Sequence, residues 1–185
     1  LSDISNLVIY DPIKDFKDIK ESEGLLYYKT DTHWNDKGAY IAFRNLLLKL
    51  ELEPLNVNFS LGESVGGDLI SISKMKDISL ADNDRWLPEI NHTHKLIRTN
   101  DDDFSSSNYF GINNTVINTN PLIEKKIWII GDSFARALKP YLEATFSEVR
   151  YLGHWDKKLD VLASKLDTST EKPDFIFVVR VERSF

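Results

Sequence analysis

The last third of the chain alternates apolar runs with segments of helical spacing, and this alternation constrains the fold more than any other feature. Near-continuous apolar strands joined by helices are typical of a parallel sheet with helices on both faces. The pattern therefore predicts a three-layer α/β/α fold with a mostly parallel sheet. Its predicted elements are strand 127–130, helix 134–146 (which Pro140 should divide), strand 148–152, helix 157–166 and strand 174–182.

The first half of the chain predicts shorter elements. Apolar runs at 7–10 and 25–28 are interpreted as strands, and a short surface helix is expected over 15–21. Asn35 is a good N-cap for the clearest helix, because apolar residues follow it at spacings of three and four. They are Ala39, Ala42, Phe43, Leu46, Leu47 and Leu50.

The middle of the chain indicates a small β-rich excursion. A Gly-Gly turn at 65–73 runs into a short amphipathic element, and apolar runs at 95–98 and 115–118 resemble strands. The polar stretch between those two runs, 101–108, is typical of an exposed loop. The sequence shows no internal repeat, and a single domain over residues 1–185 is predicted.

Composition excludes several classes of function. The net charge is −6 and Lys and Arg are not clustered, so nucleic acid is not expected as a partner. The chain has no cysteine, which excludes disulfides, thiolate nucleophiles and Cys-ligated zinc. No apolar run approaches the roughly 20 residues of a membrane span. The chain begins without Met or a signal-peptide pattern, so we expect a processed or excised piece.

The segment GDSF, residues 131–134, follows a predicted buried strand and precedes a helix. In an open α/β sheet, ligands bind at this carboxyl edge of the strands. Gly131 permits a sharp turn, and Ser133 then lies at a helix N-terminus, where backbone N–H groups can stabilise an oxyanion. A serine becomes nucleophilic when a base, here histidine, takes its proton. The alternative is that Asp132 and Ser133 only cap the helix.

Asp31 and His33 form a second candidate for chemistry, again between a predicted strand and a helix. Two residues apart in extended chain, their side chains share a face, so Asp31 can accept the Nδ1–H of His33 and turn Nε2 towards a hydroxyl. The alternative is a partly buried ion pair beside a helix start. If the sheet is parallel, this turn and the Ser133 turn lie on one edge, in the chain order of an Asp, His, Ser triad.

Other polar and aromatic residues allow both a functional and a structural interpretation. His92 and His94 have the spacing of a partial metal site, but nothing at supporting spacing completes it, so no metal is predicted. Trp34 and Trp155 offer stacking faces for sugars, although packing in the core or at its rim is the preferred role. Arg136 is a candidate helper of an oxyanion, with a solvated arginine as the simpler interpretation.

The chain resembles a known family through four stretches in this order: YYKTDTHWNDKGA, GGDL, IWIIGDSFARALKPYL and PDFIFVVRVER. They are similar to the SGNH-hydrolase-like polysaccharide O-acetyltransferases of the AlgX/AlgJ type, also described as DHHW proteins. The resemblance implies a flavodoxin-like α/β/α hydrolase fold, permuted relative to ordinary SGNH esterases because Asp and His precede the serine. It implies that Asp31 is the triad acid, His33 the general base and Ser133 the nucleophile, while Asp132 belongs to the turn.

The function that the resemblance implies is acetyl transfer to an exported polysaccharide, in the periplasm or at the cell surface. Its partners would be a polysaccharide acceptor and an acetyl donor, for which a membrane-bound acyltransferase is a candidate supplier. No cofactor is implied. The candidates for oxyanion or substrate contacts are Ser133, Arg136, Trp34 and Arg183.

The chain departs from the family pattern in several places. Family members usually have further strands before the segment at 7–10, so a fragment with an incomplete sheet is expected. Ala135 stands where glycine is frequent, and Val179 where the last strand often carries an acid, whereas Glu182 and Arg183 match. The asparagine block that supplies oxyanion donors in ordinary SGNH esterases has no counterpart.

Three alternatives to a transferase stay open at the level of sequence. The same triad would make a carbohydrate acetylesterase if water were the acceptor. The departures from the family pattern fit a non-catalytic carbohydrate-binding or assembly module with the same fold. A metalloenzyme built on His33, His92 and His94 is the third.

Overall fold

The structure, a computed structural model, forms two compact units, and the chain passes from one to the other three times. It describes residues 6–74, 83–99 and 115–181. Of these, the first unit comprises 6–54, 59–74 and 83–87, and the second comprises 55–58, 88–99 and 115–181. Two of the three crossings fall within paired strands, β1 (Val57–Leu61) and β2 (Trp86–Ile90). The single domain over 1–185 stays a prediction.

Helices dominate the first unit. They are α1 (Ile13–Glu23), α2 (Asp36–Lys49) and α3 (Asp68–Ser73). The predicted cap of α2 is confirmed, because the Asn35 side chain accepts the N–H of Gly38 at 2.9 Å. Most of the predicted apolar face of α2 is buried, together with Ile41, while Leu46 and Leu50 are half-buried. The periodicity of this segment therefore predicted both the start of the helix and the side that packs.

The two strands predicted in the first unit are wrong. At 7–10 no strand forms, and Leu7, Val8 and Ile9 are exposed because the segment has no strand partner among the described residues. At 25–28 a single antiparallel bridge joins Tyr27 to Trp34. The Leu25 carbonyl accepts the side-chain N–H groups of Asn35 and Trp86 instead, at 2.8 and 3.0 Å. These side chains satisfy a backbone group that a strand would otherwise pair.

A five-stranded sheet forms the second unit, in the order β3-β4-β6-β5-β7. Its strands are β3 (Leu96–Thr99), β4 (Thr115–Asn118), β5 (Ile123–Gly131), β6 (Phe146–Gly153) and β7 (Phe175–Val179). β5 pairs in parallel with β6 and β7, whereas β3 and β4 add two antiparallel pairs. The mostly parallel sheet is thus confirmed only in part, because the β-rich excursion joins the sheet. The loop predicted at 101–108 lies outside the described residues.

The core of the second unit lies where the continuous apolar runs predicted it. Trp128 and Ile130 of β5 are buried with Leu152 and with Leu162 of α5 (Trp155–Thr168). Pro140 divides the helix predicted over 134–146, as expected. A 3-10 helix, Ser133–Leu138, is followed by α4, Lys139–Thr145. Within the described ranges, no helix combines the length and apolarity needed to cross a membrane.

Candidate active site

The Ser133 turn, residues 131–135, directly follows the carboxyl end of β5. Gly131 pairs with Val179 of β7, and the Asp132 N–H donates to the Val179 carbonyl at 3.2 Å. A Cβ at Gly131 would lie 2.8 Å from the Cβ of Ala135 and 3.0 Å from the Val179 carbonyl oxygen, so the turn has room only for glycine. Half-buried Ser133 then begins the 3-10 helix at the carboxyl edge of a parallel strand pair, which is the predicted ligand edge.

Asp132 holds this turn together. Its side chain is buried, and one carboxylate oxygen accepts the N–H of Phe134 at 2.9 Å. The other oxygen accepts the N–H of Val181, just beyond β7, at 2.6 Å. Since both oxygens hold backbone N–H groups, Asp132 caps the 3-10 helix and ties it to the strand beside it.

The other residues considered for substrate contact have different surroundings. Arg136 is exposed on the 3-10 helix. Trp34 is 8% exposed and packs edge-on against Phe16, with ring centroids 6.4 Å apart, so it belongs to the core of the first unit. Trp155 is the first residue of α5. Arg183 lies outside the described residues.

Asp31 and His33 lie in what we term the base loop, residues 30–33 of the first unit. The Nδ1 of His33 is 2.5 Å from Oδ1 of Asp31, and the backbone N–H of His33 donates to the same oxygen at 2.9 Å. An ionised carboxylate only accepts, so we assign the hydrogen to Nδ1, which leaves the lone pair of the neutral imidazole on Nε2. This is the orientation that a general base requires.

The electrostatic environment keeps Asp31 ionised. Burial raises the pKa of this carboxyl, but hydrogen bonds from the His33 ring and from the N–H groups of Asp68 and His33 outweigh burial and lower the pKa below its usual range. The side chains of Asp31 and His33 are 23% and 27% exposed, so the pair is sheltered and still accessible. A carboxylate in this state can orient an imidazole and stabilise its protonated form.

Asp68, the first residue of α3, completes the cluster, although the sequence does not predict a role for it. Its N–H donates to Oδ2 of Asp31 at 3.1 Å, and its own carboxylate lies 3.9 Å from Nδ1 of His33. The only sequence signal at Asp68 is its place after two glycines in GGDL. That signal gives no partner, because the contact joins segments 37 residues apart.

The three side chains of Asp31, His33 and Asp68 can each offer one ligand atom, and these atoms lie within 4.8 Å of one another. The same atoms already serve in hydrogen bonds, however: Oδ1 of Asp31 accepts from His33, and the Asp68 carboxylate accepts from Thr32. The cluster is therefore built as a hydrogen-bonded network.

His92 and His94, considered as part of a metal site, each lie close to a backbone carbonyl. The Nε2 of His92 lies 2.9 Å from the carbonyl oxygen of Asn120, and Nδ1 of His94 lies 3.0 Å from the carbonyl oxygen of His92. Both rings thus contact backbone carbonyls beside β3 and β4.

The first unit also contains a cleft of about 730 Å³ with mostly apolar walls. Tyr27 is 42% exposed at this cleft, and its ring meets Phe16 edge-on at 5.9 Å. Trp86 is held there by its Nε1–H bond to Leu25 and by the Lys37 ammonium, 4.3 Å from the ring centroid. Tyr27 and Trp86 therefore line this cleft together with the buried Phe16, whereas Trp34 is not among its lining residues.

No family model and no curated protein sequence matches this chain. Solved structures do match its fold. PatB1 of Bacillus cereus superposes with a TM-score of 0.57 at 17% identity, covering 93% of this chain and 68% of PatB1. A DHHW family protein from Eubacterium siraeum gives 0.52 at 14% identity, covering 86% of this chain and 60% of its own.

The chain has the fold of PatB1 and of the DHHW family protein. The expected resemblance to DHHW proteins is therefore confirmed at the level of the fold, and the chain spans three fifths to two thirds of these relatives. PatB1 carrying a sulfonyl adduct matches with a TM-score of 0.56. The O-acetyltransferase domain of Pseudomonas putida AlgJ gives 0.49 at 15% identity, over 98% of this chain and 64% of that domain.

Proposed function

We propose that this chain is the catalytic part of a serine-dependent O-acetyltransferase that acts on an exported polysaccharide. Asp31, His33 and Ser133 form its triad. The observation that carries the proposal is the 2.5 Å contact between Nδ1 of His33 and Oδ1 of Asp31, which presents Nε2 as a base. The position of Ser133 after β5 supports it independently, since this is the ligand edge of a parallel sheet.

The proposal includes a permuted order of the triad, in which the acid and the base come before the serine in the chain. In the chain, the acid and the base precede the serine by about a hundred residues and lie in the other compact unit. A three-layer hydrolase fold would require the base loop and the Ser133 turn to meet. The fold shared with PatB1, for which a sulfonyl adduct has been solved, supports a site that reacts covalently.

The reaction has two acyl-transfer steps. In the first, Nε2 of His33 takes the hydroxyl proton of Ser133 as Oγ attacks the acetyl carbonyl, and the donor's leaving group departs with that proton. In the second, His33 takes the proton of a sugar hydroxyl, which attacks the acetyl-serine, and returns that proton to Oγ of Ser133. Asp31 stays ionised throughout and stabilises the imidazolium between the two transfers.

In this proposal the acceptor sugar binds in the cleft of the first unit. Aromatic rings bind the apolar faces of sugars while hydroxyl groups bond at their rims. Tyr27 and Trp86 provide such rings, and Tyr27 is bridged to Trp34, the neighbour of His33. The acetyl donor is supplied outside this chain, with a membrane-bound acyltransferase as the source, in the periplasm or at the cell surface.

Two other functions are compatible with this fold. An acetylesterase would use the same triad with water as the second acceptor. A non-catalytic carbohydrate-binding module would need neither the short contact of Asp31 with His33 nor the lowered pKa of Asp31. These two features favour an enzyme over a binding module.

The deciding experiment is mass spectrometry of the chain after brief exposure to p-nitrophenyl acetate. We expect one added acetyl group on the peptide that contains Ser133, and none in Ser133→Ala. His33→Gln should slow the labelling, because the serine would lose its base. Full ester turnover by Ser133→Ala would refute the proposal. Adding an oligosaccharide and measuring acetylated sugar against free acetate then separates transferase from esterase.

A further inference from the structure

The segment that follows the Gly-Gly pair contacts the base loop through five hydrogen bonds. Residues 67–69 form this segment, which we call the clamp, at the start of α3. Two of its N–H groups bind Thr30: Gly67 donates to Oγ1 at 3.3 Å, and Leu69 donates to the carbonyl at 3.1 Å. The backbone of the clamp is therefore fixed against the first residue of the base loop.

The Asp68 carboxylate binds the middle of the base loop. Its two oxygens accept the N–H and the hydroxyl of Thr32, at 2.9 and 2.6 Å. The N–H of Asp68 meanwhile donates to Oδ2 of Asp31, at 3.1 Å. Asp31 is thus held at both oxygens, at Oδ1 by His33 and at Oδ2 by the clamp.

Gly67 allows the clamp to approach this closely. A Cβ on Gly67 would lie 2.4 Å from both the Cβ of Asp31 and the carbonyl oxygen of Thr30. Both atoms are close to the main chain of the base loop, so neither can yield by a side-chain rotation. Any larger residue would have to push Asp31 away from its present position.

We propose that Gly67 and Asp68 are positioning residues, whose clamp holds Asp31 in the orientation that fixes the His33 imidazole. The clamp does not touch the reacting atoms, and it acts through Asp31. Because effective catalysis depends on placement within about 1 Å, its loss should lower the rate of the chemical step. This inference rests on the proposed function for its kinetic readout alone, since the geometry of the Asp31–His33 pair can be measured without turnover.

The sharpest test compares neighbouring glycines. Gly67→Ala places a methyl group against Asp31, whereas Gly66→Ala changes an exposed glycine one residue earlier. In proton NMR spectra at low temperature, we expect a downfield resonance of the His33 Nδ1 proton in the wild-type chain and in Gly66→Ala. His33→Gln assigns it. In Gly67→Ala the resonance should disappear through faster exchange with water.

The kinetic test uses hydrolysis of p-nitrophenyl acetate. We expect kcat to fall roughly 10- to 100-fold in Gly67→Ala, with KM within about twofold, because positioning affects the transition state more than binding. Asp68→Ala should act in the same direction, and Asp68→Asn should recover part of the loss, since an amide oxygen still accepts from Thr32. If Gly67→Ala does not fold, as judged by circular dichroism, the two Asp68 variants carry the test.

Each outcome decides one proposal. A wild-type spectrum without the Nδ1 proton, or equal spectra and kcat in the Gly66 and Gly67 variants, overturns the clamp. Equal kcat in wild type and Asp68→Ala does the same. A chain that shows the resonance and its loss in Gly67→Ala, but has no activity towards acetyl esters, refutes the proposed function and keeps the clamp.

Discussion

The Ser133 turn and the base loop are proposed to serve one reaction, yet they are held by different kinds of interaction. The Ser133 turn continues a buried strand that pairs on both sides, and besides the Asp132 side chain it is held by backbone pairing with β7. Among the residues that the structure describes, the base loop is bordered by a single bridge, and hydrogen bonds from the clamp hold it. One turn is positioned by a sheet, and the other by a hydrogen-bonded network.

This difference predicts which substitutions lower the stability of the protein and which lower its activity. A turn built into a buried sheet cannot shift without disturbing the core, so changes there should lower stability first. A loop held by partly exposed polar groups can shift while the surrounding helices stay folded, so changes there should lower activity first. The following predictions test that contrast.

The largest effect is expected at the base loop. Asp31→Asn and His33→Gln should lower kcat for acetyl-ester hydrolysis about 10³- to 10⁴-fold, because the base loses its correct tautomer or is absent. Thermal unfolding should change little in either variant. His92→Gln is the control, since His92 lies in the second unit, where its Nε2 is 2.9 Å from the carbonyl oxygen of Asn120 and its ring stacks on His94. Activity within tenfold of wild type in both variants would exclude the triad.

The next largest effect is expected at the Ser133 turn. Gly131→Ala places a Cβ 2.8 Å from Ala135, and we expect unfolding free energy to fall by about 1–3 kcal/mol, the usual effect of overpacking a core. Urea unfolding measures it, with Gly66→Ala as the exposed control. A Gly131→Ala chain as stable as wild type would show that this turn is no more rigid than the base loop.

A smaller loss of stability is expected from the cap that follows the base loop. Asn35→Ala removes the acceptor for Gly38 and the side-chain donor to Leu25, which should cost about 1–2 kcal/mol. Asn58→Ala, at an exposed strand position, is the control. Esterase activity should fall together with stability, because Asn35 also fixes the chain after His33. If the Asn35→Ala variant were stable but inactive, Asn35 would instead take part in the reaction itself.

The smallest effect concerns the acceptor. Tyr27→Ala should lower the ratio of acetyl transfer to hydrolysis by about 3- to 10-fold, the effect of losing one aromatic contact. Tyr27→Phe keeps the ring and should behave like wild type. Cellotriose and chitotriose are suitable test acceptors, with products measured by mass spectrometry. An unchanged ratio of acetyl transfer to hydrolysis in Tyr27→Ala would show that the acceptor does not bind in this cleft.

The local pattern of the sequence predicted much of this molecule. Continuous apolar runs gave β5, β6 and β7, and the position of Gly131 in GDSF placed Ser133 at the end of a parallel strand. The spacing after Asn35 predicted α2 and its cap. Each of these features depends on residues a few positions apart, so periodicity and turn chemistry are sufficient to recognise it.

The predicted meeting of the two turns at one sheet edge depended on a strand at 25–28 that the structure does not contain. The prediction placed the base loop after a strand of the same sheet, but residues 25–28 form a bridge outside that sheet. An apolar run of four residues has no intrinsic preference strong enough to decide this, and the side chains of Asn35 and Trp86 take the hydrogen bonds of Leu25 instead. The triad is therefore a proposal that the site geometry within each unit supports.

The sequence by itself determined the chemistry that is available: a serine in a glycine turn, an Asp–His pair two residues apart, and no cysteine. Only the tertiary structure decided what holds that chemistry in place. Asp68 and Gly67 reach the base loop across more than thirty residues, and no local pattern specifies such a contact. The physical reason is that periodicity encodes which face of an element is buried, whereas polar contacts between distant loops form only after the chain has folded.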